Sequence, residues 1–294
     1  MDEQLSVLYH RHVGMAFDRQ MRFQAFLRKK LVGGEWEYDT NTATLSFGKV
    51  QFEAPILGSH ASHNNSWLWA WSNKHLKLSV TNRALGDTVR ALVHRLNVHA
   101  LGAPAFALEP LLGPTLAQSA VHILGVFLVG ELGYDAYQAF PNDGSTELVL
   151  IRDDRLKFVE KHPLVRIATQ FTGVLGSMPV MDDKAALTAY AHDYGLTVTE
   201  GPNTLKITAG GKDELTATFD AEGHFTNFDG VAIPEPKPVK KAVKKKPPAK
   251  KKPTAKVAAK KAVAKKEAVA KPKVAAKVSK KPGKPAAKKP TGKK

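Results

Sequence analysis

The segment that decides the fold reads Ser66-Trp67-Leu68-Trp69-Ala70-Trp71-Ser72-Asn73, and it holds three of the four tryptophans in the chain. On a β-strand, alternate side chains point to opposite faces, so the three indoles share one face. One interpretation is a platform on which bases or sugars stack. The other is a sheet face covered by a helix, with each indole burying roughly 200 Å². Because both faces of the segment are apolar, we favour a central strand with Trp69 in the core.

The chain before this segment predicts one long helix followed by strands. Residues 3–31 carry apolar side chains at steps of four, which is typical of an amphipathic helix. The members of this stripe are Leu5, Tyr9, Val13, Phe17 and Met21. Alternating residues on both sides of Thr40-Asn41 predict a hairpin. Residues 52–57 predict a third strand, which Pro55 confines to an edge or a bulge because proline has no N–H to donate.

The chain after the tryptophan segment alternates irregularly between helices and hairpins. Leu85, Val89, Leu92 and Leu96 give one helix, with Asn82 available as its cap. Further helices are predicted at residues 115–132, 163–175 and 182–194. The turn signal Asn142-Asp143-Gly144 predicts a hairpin. Three short strands at residues 205–208, 215–219 and 225–228 predict a meander.

These elements predict an α+β fold, with a mainly antiparallel sheet, packed helices and a disordered basic tail. We expect a globular domain over residues 1–232 and a tail over residues 233–294. The chain carries a formal charge of +17, whereas residues 234–294 contain 24 lysines and two glutamates, a net of +22. The first 233 residues therefore carry −5, the difference between these two values. The protein is an acidic body joined to a strongly cationic tail.

The tail is built from lysine, alanine, proline and valine, and it contains no aromatic residue and no arginine. Such a segment cannot bury enough apolar area to offset an ordering entropy of about 1–2 kcal/mol per residue, so the composition predicts disorder. Fourteen of the paired and tripled lysines are the predicted contacts with nucleic-acid phosphates, without any reading of sequence. They are Lys244, Lys245, Lys246, Lys250, Lys251, Lys252, Lys260, Lys261, Lys265, Lys266, Lys280, Lys281, Lys288 and Lys289.

The spacing Trp67-x-Trp69-x-Trp71-x-Asn73, in a body that ends near Ala217-Thr218-Phe219-Asp220, resembles domain-of-unknown-function family 6882, a bacterial family. We expect the resemblance to cover roughly residues 5–230. It implies no activity and no catalytic residues. The tail resembles the C-terminal tails of linker histones and of histone-like nucleoid proteins in composition.

Several chemistries have no support in the sequence. The chain has no cysteine, which excludes disulfide scaffolds, thiolate metal sites and thiol nucleophiles. We find no phosphate-binding loop, no G-x-S-x-G and no H-E-x-x-H, so neither a catalytic residue nor a cofactor is predicted. The adjacent acids Asp153-Asp154 and Asp182-Asp183 fit a turn and a helix start.

Histidines are the remaining candidates for a site. His60 and His63 stand three positions apart, and His10-Arg11-His12 lies in the first predicted helix. Two imidazoles at that spacing could contribute to a metal site, but no third ligand is evident. We therefore interpret residues 60–65 as a solvated polar loop and predict no metal site.

Two functions compete. The first is a non-enzymatic, DNA-associated nucleoid protein that binds nucleic acid through its tail, while the body has an unassigned role such as contact with a protein. The second is an enzyme or small-ligand-binding body that the tail localises on nucleic acid or other polyanions. A convergent polar pocket with perturbed histidines or carboxylates would favour the second. The start Met1-Asp2-Glu3 does not resemble a secretory signal, and the apolar residues 120–130 are too few to cross a bilayer. We expect a cytoplasmic, nucleoid-associated protein without membrane contact.

Overall fold

The computed structural model describes residues 1–30, 35–142, 144–210 and 213–230. Its helices are α1 (Glu3–Lys30), α2 (Val80–Leu96), α3 (Glu109–Leu112), α4 (Pro114–Ala117), α5 (Ala120–Leu132), α6 (Pro163–Ser177) and α7 (Asp183–Asp193). Its strands are β1 (Trp36–Asp39), β2 (Thr44–Phe47), β3 (Val50–Glu53), β4 (Ile56–Ala61), β5 (Ser66–Trp69), β6 (Ala105–Ala107), β7 (Ala136–Asn142), β8 (Ser145–Ile151), β9 (Thr197–Gly201), β10 (Thr204–Thr208), β11 (Glu214–Phe219) and β12 (Phe225–Asp229).

The strands form antiparallel sheets packed with helices, which confirms the predicted α+β class. Among the described residues, three strands pair in the order β1-β2-β3, and four pair in the order β12-β11-β10-β9. The largest sheet has the order β6-β5-β4-β8-β7. The predicted tail, residues 233–294, and its boundary with the body lie outside the described residues.

The tryptophan segment is a buried strand, as predicted, but it is shorter than predicted. Trp67 and Trp69 are fully buried on β5, which lies between β4 and β6. The strand ends there, because residues 70–72 turn into a 3₁₀ helix. Trp71 therefore leaves the sheet and stacks on Trp69, with ring centroids 4.6 Å apart. The prediction that all three indoles share one strand face was wrong for Trp71.

Pro55 separates two sheets, which corrects the single strand predicted over residues 52–57. Strand β3 ends at Glu53 in the three-stranded sheet, and β4 begins at Ile56 in the five-stranded sheet. Proline fits this junction because neither sheet requires a backbone N–H donor at position 55. The side chain of Asn82 holds the junction, since its amide oxygen accepts from the Ile56 N–H at 2.9 Å. Asn82 is thus not the cap of α2, a role that Ser79 performs.

Helix boundaries follow the capping chemistry of the sequence, with one break. The helix predicted over residues 115–132 is divided into α4 and α5 around Gln118. Gly133, with φ +66°, ends α5 as predicted. At the start of α7, the carboxylate of Asp182 accepts from the Ala185 N–H, and Asp153 caps the 3₁₀ turn at 154–156 in the same way. The acidic pairs are therefore structural, as predicted.

Helix α1 runs through the centre of the body and buries its predicted stripe. Leu5, Tyr9, Val13 and Phe17 are buried, and Met21 is partly buried. The apolar α5 packs against α1 and over the five-stranded sheet, which confirms it as a buried helix. In the part of the chain that the structure describes, no helix is long and apolar enough to span a membrane.

Candidate ligand-binding pocket

His60 lies on a buried strand, which corrects the prediction of a solvated loop. It is the fifth residue of β4, directly opposite Trp67 of β5 and Thr146 of β8, and only 5% of it is exposed. The loop prediction holds for His63, which is exposed in the turn that follows. The sequence did not reveal this difference, because the depth of His60 depends on strands that are distant in sequence.

The imidazole of His60 is incompletely bonded. Its Nε2 is buried and has no hydrogen-bond partner among the described residues. Burial lowers the pKa of His60, and the neighbouring Asn65 side chain partly offsets this effect. A lowered pKa keeps the ring neutral at pH 7, so one of its nitrogens offers a lone pair rather than a proton.

The second histidine of the site is His122, in the first turn of α5. Its Nδ1 lies 3.1 Å from the hydroxyl of Tyr137, a buried residue of β7. Although the His122 side chain reaches the surface, surrounding protein lowers its pKa as well. This ring is therefore also neutral at pH 7.

Two glycines make room for the aromatic rings beneath the site. A Cβ at Gly58 of β4 would lie 2.7 Å from Cζ2 of Trp67, and a Cβ at Gly125 of α5 would lie 2.9 Å from Cδ2 of Tyr137. Real Cβ atoms essentially never show contacts this short. Each glycine therefore permits a close approach that larger residues would prevent.

The two histidines face a common pocket of about 410 Å³ at one end of the five-stranded sheet. This volume lies within the roughly 300–1,000 Å³ that is typical of small-molecule sites. Of the described residues, those that line the pocket are all uncharged at pH 7. They are His60, Ser62, Asn65, Gln118, Val121, His122, Ala139 and Thr146.

The lining residues converge from four parts of the chain. The strands β4, β7 and β8 supply His60, Ala139 and Thr146, and the turn after β4 supplies Ser62 and Asn65. The others come from the break between α4 and α5 and from the first turn of α5. Gln118, in the break between the two helices, is thus part of the pocket lining. In the sequence, His122 lies in the apolar residues 120–130, and no spacing connects it to His60.

The two candidate histidines of α1, His10 and His12, have structural roles. The Nε2 of His10 accepts from the backbone N–H groups of Met181 and Asp182, and its Nδ1 lies 2.7 Å from the carbonyl oxygen of Ser6. His12 lies 2.8 Å from a carboxylate oxygen of Glu131. Over residues 1–30, 35–142, 144–210 and 213–230, no three His, Cys, Asp or Glu side chains are grouped to hold a metal ion.

A buried carboxylate in α1 is also structural. Asp18 is fully buried and accepts hydrogen bonds from Arg22, Arg166 and the hydroxyl of Tyr194. The Arg22 Nη2 lies 2.9 Å from Oδ2, and the Arg166 Nε lies 2.7 Å from Oδ1. A buried charge with this many partners fixes the packing of α1 against α6 and α7. The fourteen tail lysines predicted to bind phosphates lie outside the described residues.

The fold and the pocket define an α+β protein with antiparallel sheets and an uncharged polar cleft. Residues 6–154 match a family described as "Family of unknown function (DUF6882)", and the chain belongs to this family. No curated protein and no solved structure matches the chain. The matched range contains the tryptophan strand and all the described residues that line the pocket. It ends well before residue 230, so Ala217-Thr218-Phe219-Asp220 plays no part in the match.

Proposed function

We propose that the protein is a non-enzymatic, DNA-associated protein of the cytoplasm and nucleoid, which binds nucleic acid without sequence preference through its C-terminal lysines. The observation that carries this proposal is the separation of charge, with +22 on residues 234–294 and −5 on the rest. Each phosphate that a lysine neutralises releases condensed counterions, which favours binding at low salt. Lysine contacts to phosphate carry no base information.

Titration of labelled duplex DNA tests this proposal. If about 8 lysines engage at once, the logarithm of affinity falls with the logarithm of salt at a slope of roughly −7. A chain truncated after Ile233 should lose this binding, because its acidic body repels DNA. The matched control keeps the full length but replaces the fourteen lysines named above by glutamine. Equal affinity of the intact and truncated chains, or binding insensitive to salt between roughly 50 and 200 mM, would contradict the proposal.

The second candidate concerns the body, and the pocket favours it. A filled core without a cleft would leave the body only surface contacts with a protein partner. The cleft instead brings six polar side chains together, two of them histidines with lowered pKa values. This arrangement supports a small-ligand-binding body that the tail localises on DNA or other polyanions. The described lining contains no carboxylate, so any acid–base chemistry in the pocket would depend on its two neutral histidines.

The two candidates are separable by experiment. Removing residues 234–294 removes nucleic-acid binding under the first and leaves the pocket intact under the second. Ligand binding that survives the truncation therefore assigns the two activities to different parts of the chain.

A further inference from the structure

The pocket is polar without being charged, and this limits what it can hold. Ser62, Asn65, Gln118 and Thr146 offer hydroxyl and amide groups, which both donate and accept hydrogen bonds. An ionised ligand would lose its hydration in such a cleft without gaining an opposite charge, which is costly. A purely apolar ligand would leave the polar lining without partners, which is also costly.

One residue of the pocket lining, His60, carries a buried acceptor without a partner, and the residue opposite it on the next strand carries a buried donor without one. His60 and Trp67 are directly opposite each other on β4 and β5. Both the Nε2 of His60 and the indole Nε1–H of Trp67 are buried, and neither has a partner in the part of the chain that the structure describes. A ligand hydroxyl can donate to the Nε2 of His60, because the neutral ring offers a lone pair.

We propose that this pocket binds an uncharged, polyhydroxylated small molecule of about the size of a monosaccharide. The hydroxyls of such a molecule match the mixed donors and acceptors of the lining. The volume of about 410 Å³ lies in the lower half of the range for small-molecule sites, which fits one sugar ring better than a large cofactor. The inference rests on the second candidate function and is independent of nucleic-acid binding by the tail.

Ligand-observed NMR on the full-length protein tests the inference. The neutral probes are D-glucose, D-galactose, D-mannose and sorbitol, and the charged probes of matched size are D-glucuronate and D-glucosamine. We expect at least one neutral probe to bind with a Kd of roughly 1 mM or tighter. The charged probes should bind at least about ten-fold more weakly, because the pocket offers them no counter-charge.

Two substitutions place the binding in this pocket. Thr146→Val removes a hydroxyl at nearly constant shape, and Gln118→Leu removes an exposed amide; each should weaken binding about five-fold, the loss of one hydrogen bond. The matched control is His63→Ala, in the same turn but outside the lining, and it should bind like the intact protein. Melting curves of all three variants confirm that the fold is retained.

The possible outcomes distinguish a wrong ligand class from the absence of any ligand-binding site. Binding of a charged probe as tight as that of the neutral probes, and sensitive to Thr146→Val, overturns the neutral ligand but keeps a ligand-binding body. If no probe binds at concentrations up to roughly 10 mM, both the neutral ligand class and the ligand-binding body are overturned. Binding that none of the pocket substitutions changes overturns the assignment to this pocket.

Discussion

Two buried histidines, His10 and His60, differ in what surrounds them. Their exposed fractions are 4% and 5%, so burial does not distinguish them. His10 accepts two backbone N–H groups at Nε2, which places its proton on Nδ1 facing the carbonyl of Ser6. The Nε2 of His60 finds no such partner among the described groups. His10 therefore joins α1 to α7, whereas His60 keeps an open bonding position beside a pocket.

The two tryptophans of β5 repeat this contrast. The Nε1–H of Trp69 donates to the carbonyl oxygen of Leu101 at 3.0 Å. Trp67, opposite His60, has no partner for its Nε1–H within the described ranges. Leaving a buried polar group unpaired costs roughly 1–3 kcal/mol, so two at one place suggest a use other than stability. Buried atoms without a partner also occur at Tyr9, Tyr38, Thr188 and Tyr190, so at His60 this property indicates a site only together with the adjoining pocket.

The largest expected effect on stability is at Trp69, the tryptophan whose indole N–H has a hydrogen-bond partner. Trp69→Ala should lower the free energy of unfolding by about 3–5 kcal/mol, because it empties a large core site. Urea denaturation measures this, and Trp71→Ala provides the control, since Trp71 is only partly buried in the 3₁₀ turn. An unchanged unfolding midpoint combined with lost ligand binding would instead support a tryptophan platform.

A smaller loss is expected at His10. His10→Leu keeps a similar volume but leaves the N–H groups of Met181 and Asp182 without their acceptor. The free energy of unfolding should fall by about 1–3 kcal/mol in urea denaturation. His63→Leu is the matched control, because His63 is exposed, and it should change little. If His10→Leu had the same free energy of unfolding as the original protein, the hydrogen bonds of His10 would not contribute to stability.

The corresponding substitution at His60 should change the free energy of unfolding much less than His10→Leu does. His60→Leu removes the unpartnered Nε2 and only one interaction of the ring, that with Asn65, so stability should stay within about 1 kcal/mol of the original or rise. Urea denaturation alongside His10→Leu makes the comparison direct. A loss as large as that of His10→Leu would show that His60 is a structural residue and would remove the contrast.

The smallest expected effect is a dependence of stability on pH. The pKa values of His60 and His122 are lowered from the ordinary 6.5, so below pH 6.5 the unfolded chain binds protons that the folded protein does not. The free energy of unfolding should therefore fall as pH decreases from about 7 towards 5. Denaturation at several pH values should show a shallower decrease for His60→Leu. An identical slope in both proteins would contradict a lowered pKa at His60.

Much of the fold was predictable because it follows local patterns. The stripe from Leu5 to Phe17 has a helical period, and Gly133 and Asp182 mark helix ends by their own chemistry. Strand β9 was missed because its residues are mostly exposed and show no clear alternation of apolar and polar side chains.

The site was not predictable, because it depends on long-range register. Pro55 indicated an edge strand or a bulge, but not that the residues on its two sides form strands of different sheets. The pairing of β4 with β5 and β8 decides that His60 is buried, and the packing of α5 over the same sheet brings His122 to the same pocket. Neither the strand pairing at His60 nor the position of His122 produces a recognisable residue spacing in the sequence.

The imidazole nitrogens of His10 and His60 provide the most direct test of the central claim, that a buried histidine without a partner marks a ligand site. Long-range ¹H–¹⁵N spectra of the full-length protein would be recorded before and after addition of the tightest-binding neutral sugar. We predict that the ¹⁵N resonances of His60 move as its Nε2 gains a partner, while those of His10 stay fixed. Equal movement of both rings, or movement of neither under conditions that saturate the protein, would contradict the claim.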